Sequence, residues 1–247
     1  MIFRESVTTR IDDFGLHGCM RPAAILKLME NTANHHMTAV IGNVMDAEET
    51  GLTWMLTEWR VKILRTPTYK DSLQVETWIL GNVPSARSDR MIRITDGNGE
   101  ELVIAQAKLA LFDLNRGRVV MLEEEHLKPY QPEDLRLFED ELPRFKLPEA
   151  CGPEVPVAVR RSDVDFNGHV HNTVYLDYAM ELLPDGFHEN EITSFRIVFR
   201  KSLKYGTPAA VKGREDESGW LAGICGPDGT LYAGVFIGTR KEYPGRI

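Results

Sequence analysis

Apolar residues recur with helical spacing in two places along the chain. Within Arg21–His36, Ile25, Leu28, Met29 and Thr32 fall at i, i+3, i+4 and i+7, the spacing of one helix face. Pro22 suits the first turn of that helix, where a missing N–H costs nothing. Within Thr173–Leu183, Tyr175, Tyr178, Ala179 and Leu182 repeat the spacing. Ala24 and Leu26 widen the first stripe, and Val174, Leu176 and Met180 the second. A helix apolar nearly all round is wrapped by its partner rather than laid on a surface. Each helical segment is followed by alternation with period two. Trp59, Val61 and Ile63 alternate with Glu58, Arg60 and Lys62, and Phe195, Ile197 and Phe199 with Arg196, Val198 and Arg200. This predicts antiparallel strands with one face on the core and one in water. Hairpins follow, marked by Asp96-Gly-Asn-Gly and by Asp228-Gly, strong turn signals between apolar runs.

The two patterned stretches are copies. Arg10-Ile-Asp-Asp-Phe-Gly-Leu-His17 resembles Arg161-Ser-Asp-Val-Asp-Phe-Asn-Gly-His169, and each precedes a helix. Pairing His17 with His169, Trp59 with Phe195 and Gly99 with Gly229 gives a separation that shrinks along the chain. The first copy therefore carries an extra loop, about Met37–Gly51. The expected architecture is α+β, with two tandem modules over residues 1–128 and 157–247, each a long central helix wrapped by a bent antiparallel sheet. Residues 129–156, rich in Pro and acidic residues, read as a linker, with a short helix around Leu135, Leu137 and Phe138. Two such modules in one chain pair as a pseudo-dimer, and a homodimer stays open as a further level of assembly.

Composition narrows the class. Of 247 residues 43% are hydrophobic and 27% charged, enough for a core and too apolar for a disordered chain. No run approaches the ~18 apolar residues of a membrane span, and the start has no apolar signal region. Cys19, Cys151 and Cys225 are odd in number and far apart, which fits a cytoplasmic location better than a disulfide framework. No Cys or His pair has zinc-ligand spacing, and the adjacent His35 and His36 point to different faces of a helix, so no metal is expected. A net charge of −8 argues against nucleic acid as a partner.

Chemistry concentrates in Asp165, Asn167 and His169. Thioester hydrolysis needs a base or nucleophile, an orienting group and donors for the developing oxyanion. Asp165 suits the first role, by deprotonating water or by direct attack. Asn167 suits positioning the water. His169 suits orienting Asn167 or protonating the leaving thiol. A helix N-terminus just after this turn would offer N–H groups to the carbonyl oxygen. The same Asp-Phe-Asn-Gly is also an ordinary capped turn. Asp12, Asp13 and His17 of the first copy lack the Asn and read as remnants of duplication.

Arg161-Ser-Asp-Val-Asp-Phe-Asn-Gly-His-Val-His-Asn-Thr-Val-Tyr175 resembles the Asp-x-Asn-x-His-Val-Asn-Asn-x-x-Tyr signature of acyl–acyl-carrier-protein thioesterases. The helix ending Glu30-Asn-Thr-Ala-Asn-His35 and the Trp54–Pro67 strand extend the likeness to the first half. The resemblance implies a double hot-dog fold, hydrolysis of fatty acyl-carrier-protein to free fatty acid, a fatty acyl chain and carrier protein as partners, and no cofactor. It places catalysis on Asp165, Asn167 and His169, and the substrate beside Asn172 and Tyr175. His171 replaces the usual Asn. The family's Tyr-x-x-Glu is here Phe199-Arg-Lys-Ser202, so Ser202 stands where the catalytic Glu belongs, and Leu203 where plant members carry Cys. Three accounts follow: Asp165 suffices with Ser202 holding water or Asn167, a carboxylate from elsewhere fills the gap, or the protein is a weak enzyme or a binder. An acyl-CoA thioesterase and a non-catalytic acyl-thioester binder are the alternatives; a hydratase fits the spacing less well. The acyl tail is expected beside Ile25, Leu28, Met29 and Trp54. Arg196, Arg200, Lys201 and Lys204, with Arg60 and Lys62, read either as a solvated face or as a dock for the acidic carrier.

Overall fold

The computed structural model describes residues 1–42, 51–147, 152, 154–185 and 187–240. The first half contributes β1 (Phe3–Val7), helix α1 (Pro22–Ile41), β2 (Leu52–Ile63), β3 (Leu73–Ile79), β4 (Ser88–Thr95), β5 (Glu101–Asp113) and the short β6 (Arg118–Val119). The second contributes β7 (Glu154–Val157), α2 (Val174–Met180), β8 (Ile192–Phe199), β9 (Ala209–Glu215), β10 (Gly219–Cys225) and β11 (Leu231–Thr239). All join one antiparallel sheet in the order β1-β3-β4-β5-β2-β8-β11-β10-β9-β7, with β6 on β5.

That order reads the same from either edge, and the register locates its centre. At the β2–β8 seam Arg60 faces Arg196, Trp59 faces Ile197 and Val61 faces Phe195. Exchanging the halves swaps the last two pairs and leaves the first in place, so a pseudo-two-fold axis passes between the two arginines. The predicted alternation holds here: Trp59, Val61, Phe195 and Ile197 are buried. They join Ile25, Met29, Tyr175 and Ile237 in one continuous core drawn from both halves.

Three expectations need correction. α1 is longer than predicted, but α2 has only seven residues, so only the first half has a long helix. Pro184 lacks an N–H and restricts the residue before it, and the chain turns from Glu181 onward. The polar face of the central strands is not simply wetted. Residues 138–145 cross it as a strap: Phe138 lies under the Arg60 guanidinium, Asp140 pairs with Arg60 at 2.9 Å, and Lys108 pairs with Glu141 at 2.8 Å. Arg196 donates to the Pro143 carbonyl at 2.7 Å and to Glu58 at 2.8 Å. Two facing arginines would repel; the strap supplies each with a partner. Nor is there a helix at Leu135–Phe138. The chain is irregular there, with Leu137 packed on Trp78, Leu80 and Met91. Of the predicted 37–51 loop, residues 43–50 lie outside the described set, as does Cys151.

Candidate active site

Each half builds the same turn between its first strand and its helix. Short 3-10 turns at Ile11–Asp13 and Arg161–Asp163 start it. The backbone N–H of Arg10 is bound by the Asp13 carboxylate at 2.7 Å, and that of Arg160 by Asp163 at 2.8 Å. Bridges Phe14–Met20 and Cys19–Thr68 in the first half match Val164–Val170 and His169–Lys204 in the second. The bonds from Gly15 N–H to the Cys19 carbonyl and from Asp165 N–H to the His169 carbonyl also match. These pairs equate Gly15 with Asp165, His17 with Asn167 and Cys19 with His169. The sequence pairing of His17 with His169 was therefore two residues out of step. A shared His and Gly drew the alignment; the backbone bonds decide it. The first copy thus retains none of the three site residues.

In the second turn, Asp165, Asn167 and His169 come together through the backbone. Oδ1 of Asp165 accepts the N–H of Asn167 at 2.9 Å and of His169 at 3.1 Å. Gly168, at φ 75°, takes the left-handed conformation that closes the turn. The capping reading of Asp165 is therefore realised, and it leaves Oδ2 outside the turn's own bonds. Asn167 is exposed, His169 half-buried. Among the described residues no side chain–side chain hydrogen bond links the three. α2 begins nine residues after Asp165 and spans only seven.

The floor of the site is tied down by Tyr175, whose hydroxyl accepts the Leu203 N–H at 3.0 Å. Val170 N–H binds the Leu203 carbonyl at 2.8 Å. Ser202, one residue earlier, is exposed, and among the described residues no hydrogen bond joins it to Asn167 or Asp165. Asn172 instead turns toward α1, where its amide donates to Glu30 Oε1 at 3.3 Å. His171 Nδ1 lies 3.8 Å from Glu30 Oε2. Burial pushes the Glu30 carboxyl above its ordinary range and the Asp165 charge adds to this, outweighing the opposite pull of His171 and Asn172. Glu30 is a site residue that sequence reasoning missed. The available signal was a carboxylate directly following the buried stripe residues Ile25, Leu26 and Met29.

The remaining residues separate. Ile25 and Met29 are fully buried in the main core with Leu28 packed against it. Trp54 belongs to another cluster with Ile79, Leu127 and Tyr130. Arg196 is committed to Glu58 and the strap, whereas Arg200, Lys201 and Lys204 are exposed. Lys204 is the bridge partner of His169, so this basic stretch flanks the Asp165 turn. His35 is exposed against Glu5, and His36 is buried against Arg90.

Two family models cover most of the chain: the acyl-ACP thioesterase N-terminal domain over residues 1–130 and the C-terminal domain over 152–220. A dodecanoyl-[acyl-carrier-protein] hydrolase of Umbellularia californica is 26% identical over 223 residues, covering 77% of this chain and 58% of that protein. A palmitoyl-acyl carrier protein thioesterase of Arabidopsis thaliana is 25% identical over 215 residues, covering 81% and 52%. The chain thus spans little more than half the length of these relatives. Two solved structures share the fold. An acyl-ACP thioesterase from Bacteroides thetaiotaomicron matches with TM-score 0.86 at 17% identity, over 97% of this chain and 98% of that one. The 12:0-ACP thioesterase from Umbellularia californica matches with TM-score 0.84 at 21% identity, over 97% of both. The mirrored turns, the single seamed sheet and these matches lead to one statement: the chain belongs to the acyl-ACP thioesterase family.

Proposed function

We propose that the protein hydrolyses the thioester of fatty acyl-carrier-protein, releasing free fatty acid and the carrier thiol. The architecture supporting this is a double hot-dog, with modules over 1–128 and 157–247, a linker over 129–156, and residues 138–145 strapping the seam. One observation carries the reading. The Asp165 carboxylate is fixed by two backbone N–H groups through one oxygen, which leaves the other to act on water. Oδ2 of Asp165 takes a proton from a water held by Asn167, and the water oxygen attacks the thioester carbonyl carbon. As the carbon–sulfur bond breaks, the sulfur leaves with a proton from His169. The acyl tail runs along α1 beside Ile25, Leu28 and Met29, with Tyr175 and Asn172 lining the approach. Arg200, Lys201 and Lys204 receive the acidic carrier beside the turn. Ser202 is exposed beside this stretch, and its proposed part is to hold water rather than to supply a carboxylate.

Asp165→Asn tests the assignment, because the amide oxygen can still accept both N–H bonds while the base is lost. Its kcat on acyl-carrier-protein should fall by ~10²-fold or more with the melting temperature nearly unchanged, general base catalysis being worth about that much. Turnover close to wild type would reject the site. An acyl-CoA thioesterase is the second reading; it predicts a higher kcat/KM on the CoA thioester than on the carrier thioester.

A further inference from the structure

The proposed site has a base, a water holder and an acid, and thioester hydrolysis also needs a donor for the developing oxyanion. Glu30 brings one more polar group to this site. It reaches from α1 of the first half into the second half's site, touching Asn172 through Oε1 and approaching His171 through Oε2. Oε2 is buried and has no hydrogen-bond partner among the described residues. A buried polar atom left unpaired costs free energy, and such atoms mark places where a ligand or water completes the bonding. The polar groups facing Glu30 are Asp165 on the turn and His171 and Asn172 on the segment leading into α2.

Resting on the thioesterase reading above, we propose that Glu30 is a catalytic residue: its Oε2 donates the hydrogen bond that holds the thioester carbonyl oxygen while negative charge develops there. Burial, then the nearby Asp165 charge, raises the Glu30 carboxyl against the opposite pull of His171 and Asn172, and the acid form of a carboxyl has an O–H to give. A carboxylic acid kept neutral beside an ionised one is a way for two like groups to take different roles. The proton stays on Glu30 throughout; the bonds made and broken are those of water and the thioester. The site is then incomplete in either half alone, since the base comes from one and the oxyanion donor from the other.

Two substitutions separate this role from a structural one. Glu30→Gln keeps a neutral donor, whereas Glu30→Met keeps the volume and removes it. With acyl-carrier-protein as substrate, Glu30→Met should lose ~10²-fold in kcat with little change in KM, the usual cost of one oxyanion donor. Glu30→Gln should stay within ~10-fold of wild type and lose the alkaline fall in kcat that deprotonation of Glu30 imposes. Melting temperatures show whether each variant is folded. Near-normal kcat in Glu30→Met, or a loss in Glu30→Gln as large as in Glu30→Met, overturns the assignment. If Asp165→Asn is inactive in the same assay while Glu30→Met is normal, only the Glu30 role falls. Absence of wild-type turnover on carrier and CoA thioesters alike overturns both.

Discussion

Gly15 and Asp165 hold the same place in two copies of one turn, and what separates them is chemical rather than conformational. Both donate their N–H to a carbonyl four residues on; only Asp165 has a carboxylate to cap Asn167 and His169. The trio was legible in the sequence because it is local and marked by Gly168. The Glu30 contact was not, because it joins residues 142 apart, a pairing that no local spacing reveals. The same holds for His36, which is buried against Arg90 at 3.1 Å. Burial, then the Arg90 charge, lowers the His36 pKa to about 4, while burial lowers that of Arg90 to about 10. His36 is thus neutral in the fold, and protons bind the unfolded chain first. Stability present above pH ~6.5, the ordinary histidine value, should fall as the pH drops toward about 4. Melting temperatures of wild type and His36→Gln between pH 7 and 4 check this. The variant, which keeps an acceptor for Arg90, should show the shallower slope, and parallel curves would contradict it.

Among the elements, those with one face on the core were readable and those buried on both sides were not. β2 and β8 alternate where they pair, with Trp59, Val61, Phe195 and Ile197 buried beside the half-buried Arg60 and Arg196. β3 buries six of its seven residues, including Glu76, which is held by Arg4 and Arg93, so its Leu73-Gln-Val-Glu-Thr-Trp-Ile has no simple period. β9, with Ala-Ala-Val-Lys-Gly, offers little strand propensity. The strap was misread for a different reason: its partners lie across the sheet, so its Pro and acidic residues looked like solvent-facing linker. Its anchor is Phe145, buried over Gly234, where a Cβ would meet the ring at 2.2 Å. Gly234→Ala should therefore cost ~1–3 kcal/mol by overpacking, and Phe145→Ala ~3–5 kcal/mol by truncation. The double variant should be more stable than the sum predicts, because the alanine methyl enters the space the ring vacated. Urea unfolding of the four proteins measures this; strict additivity would mean that the strap does not bear on Gly234.

At the scale of the molecule, sequence periodicity foretold a tandem repeat, while the joining of both halves into one sheet and one core came from the register. The seam matters for function because it brings α1 against the second turn and leaves Arg200, Lys201 and Lys204 exposed at its rim. Arg196, spent on Glu58 and Pro143, is better left intact in any test of docking. Arg200→Glu with Lys204→Glu should raise KM for acyl-carrier-protein by ~10-fold at low salt and much less at high salt, as a screened charge contact does. Activity on a short acyl-pantetheine thioester should hardly change. An equal loss on both substrates would remove the basic rim as the carrier's dock.

The Arg60–Arg196 pair has a consequence for descent. In a dimer of identical chains, a residue on the axis meets its own copy, and one mutation changes both sides at once. Here each arginine is encoded separately, and the strap treats them unequally: a carboxylate for Arg60, a carbonyl oxygen for Arg196. A single thread laid across a mirrored joint gives that joint a left and a right. From that point the two halves answer to different neighbours, and one can lose its chemistry while the other keeps it.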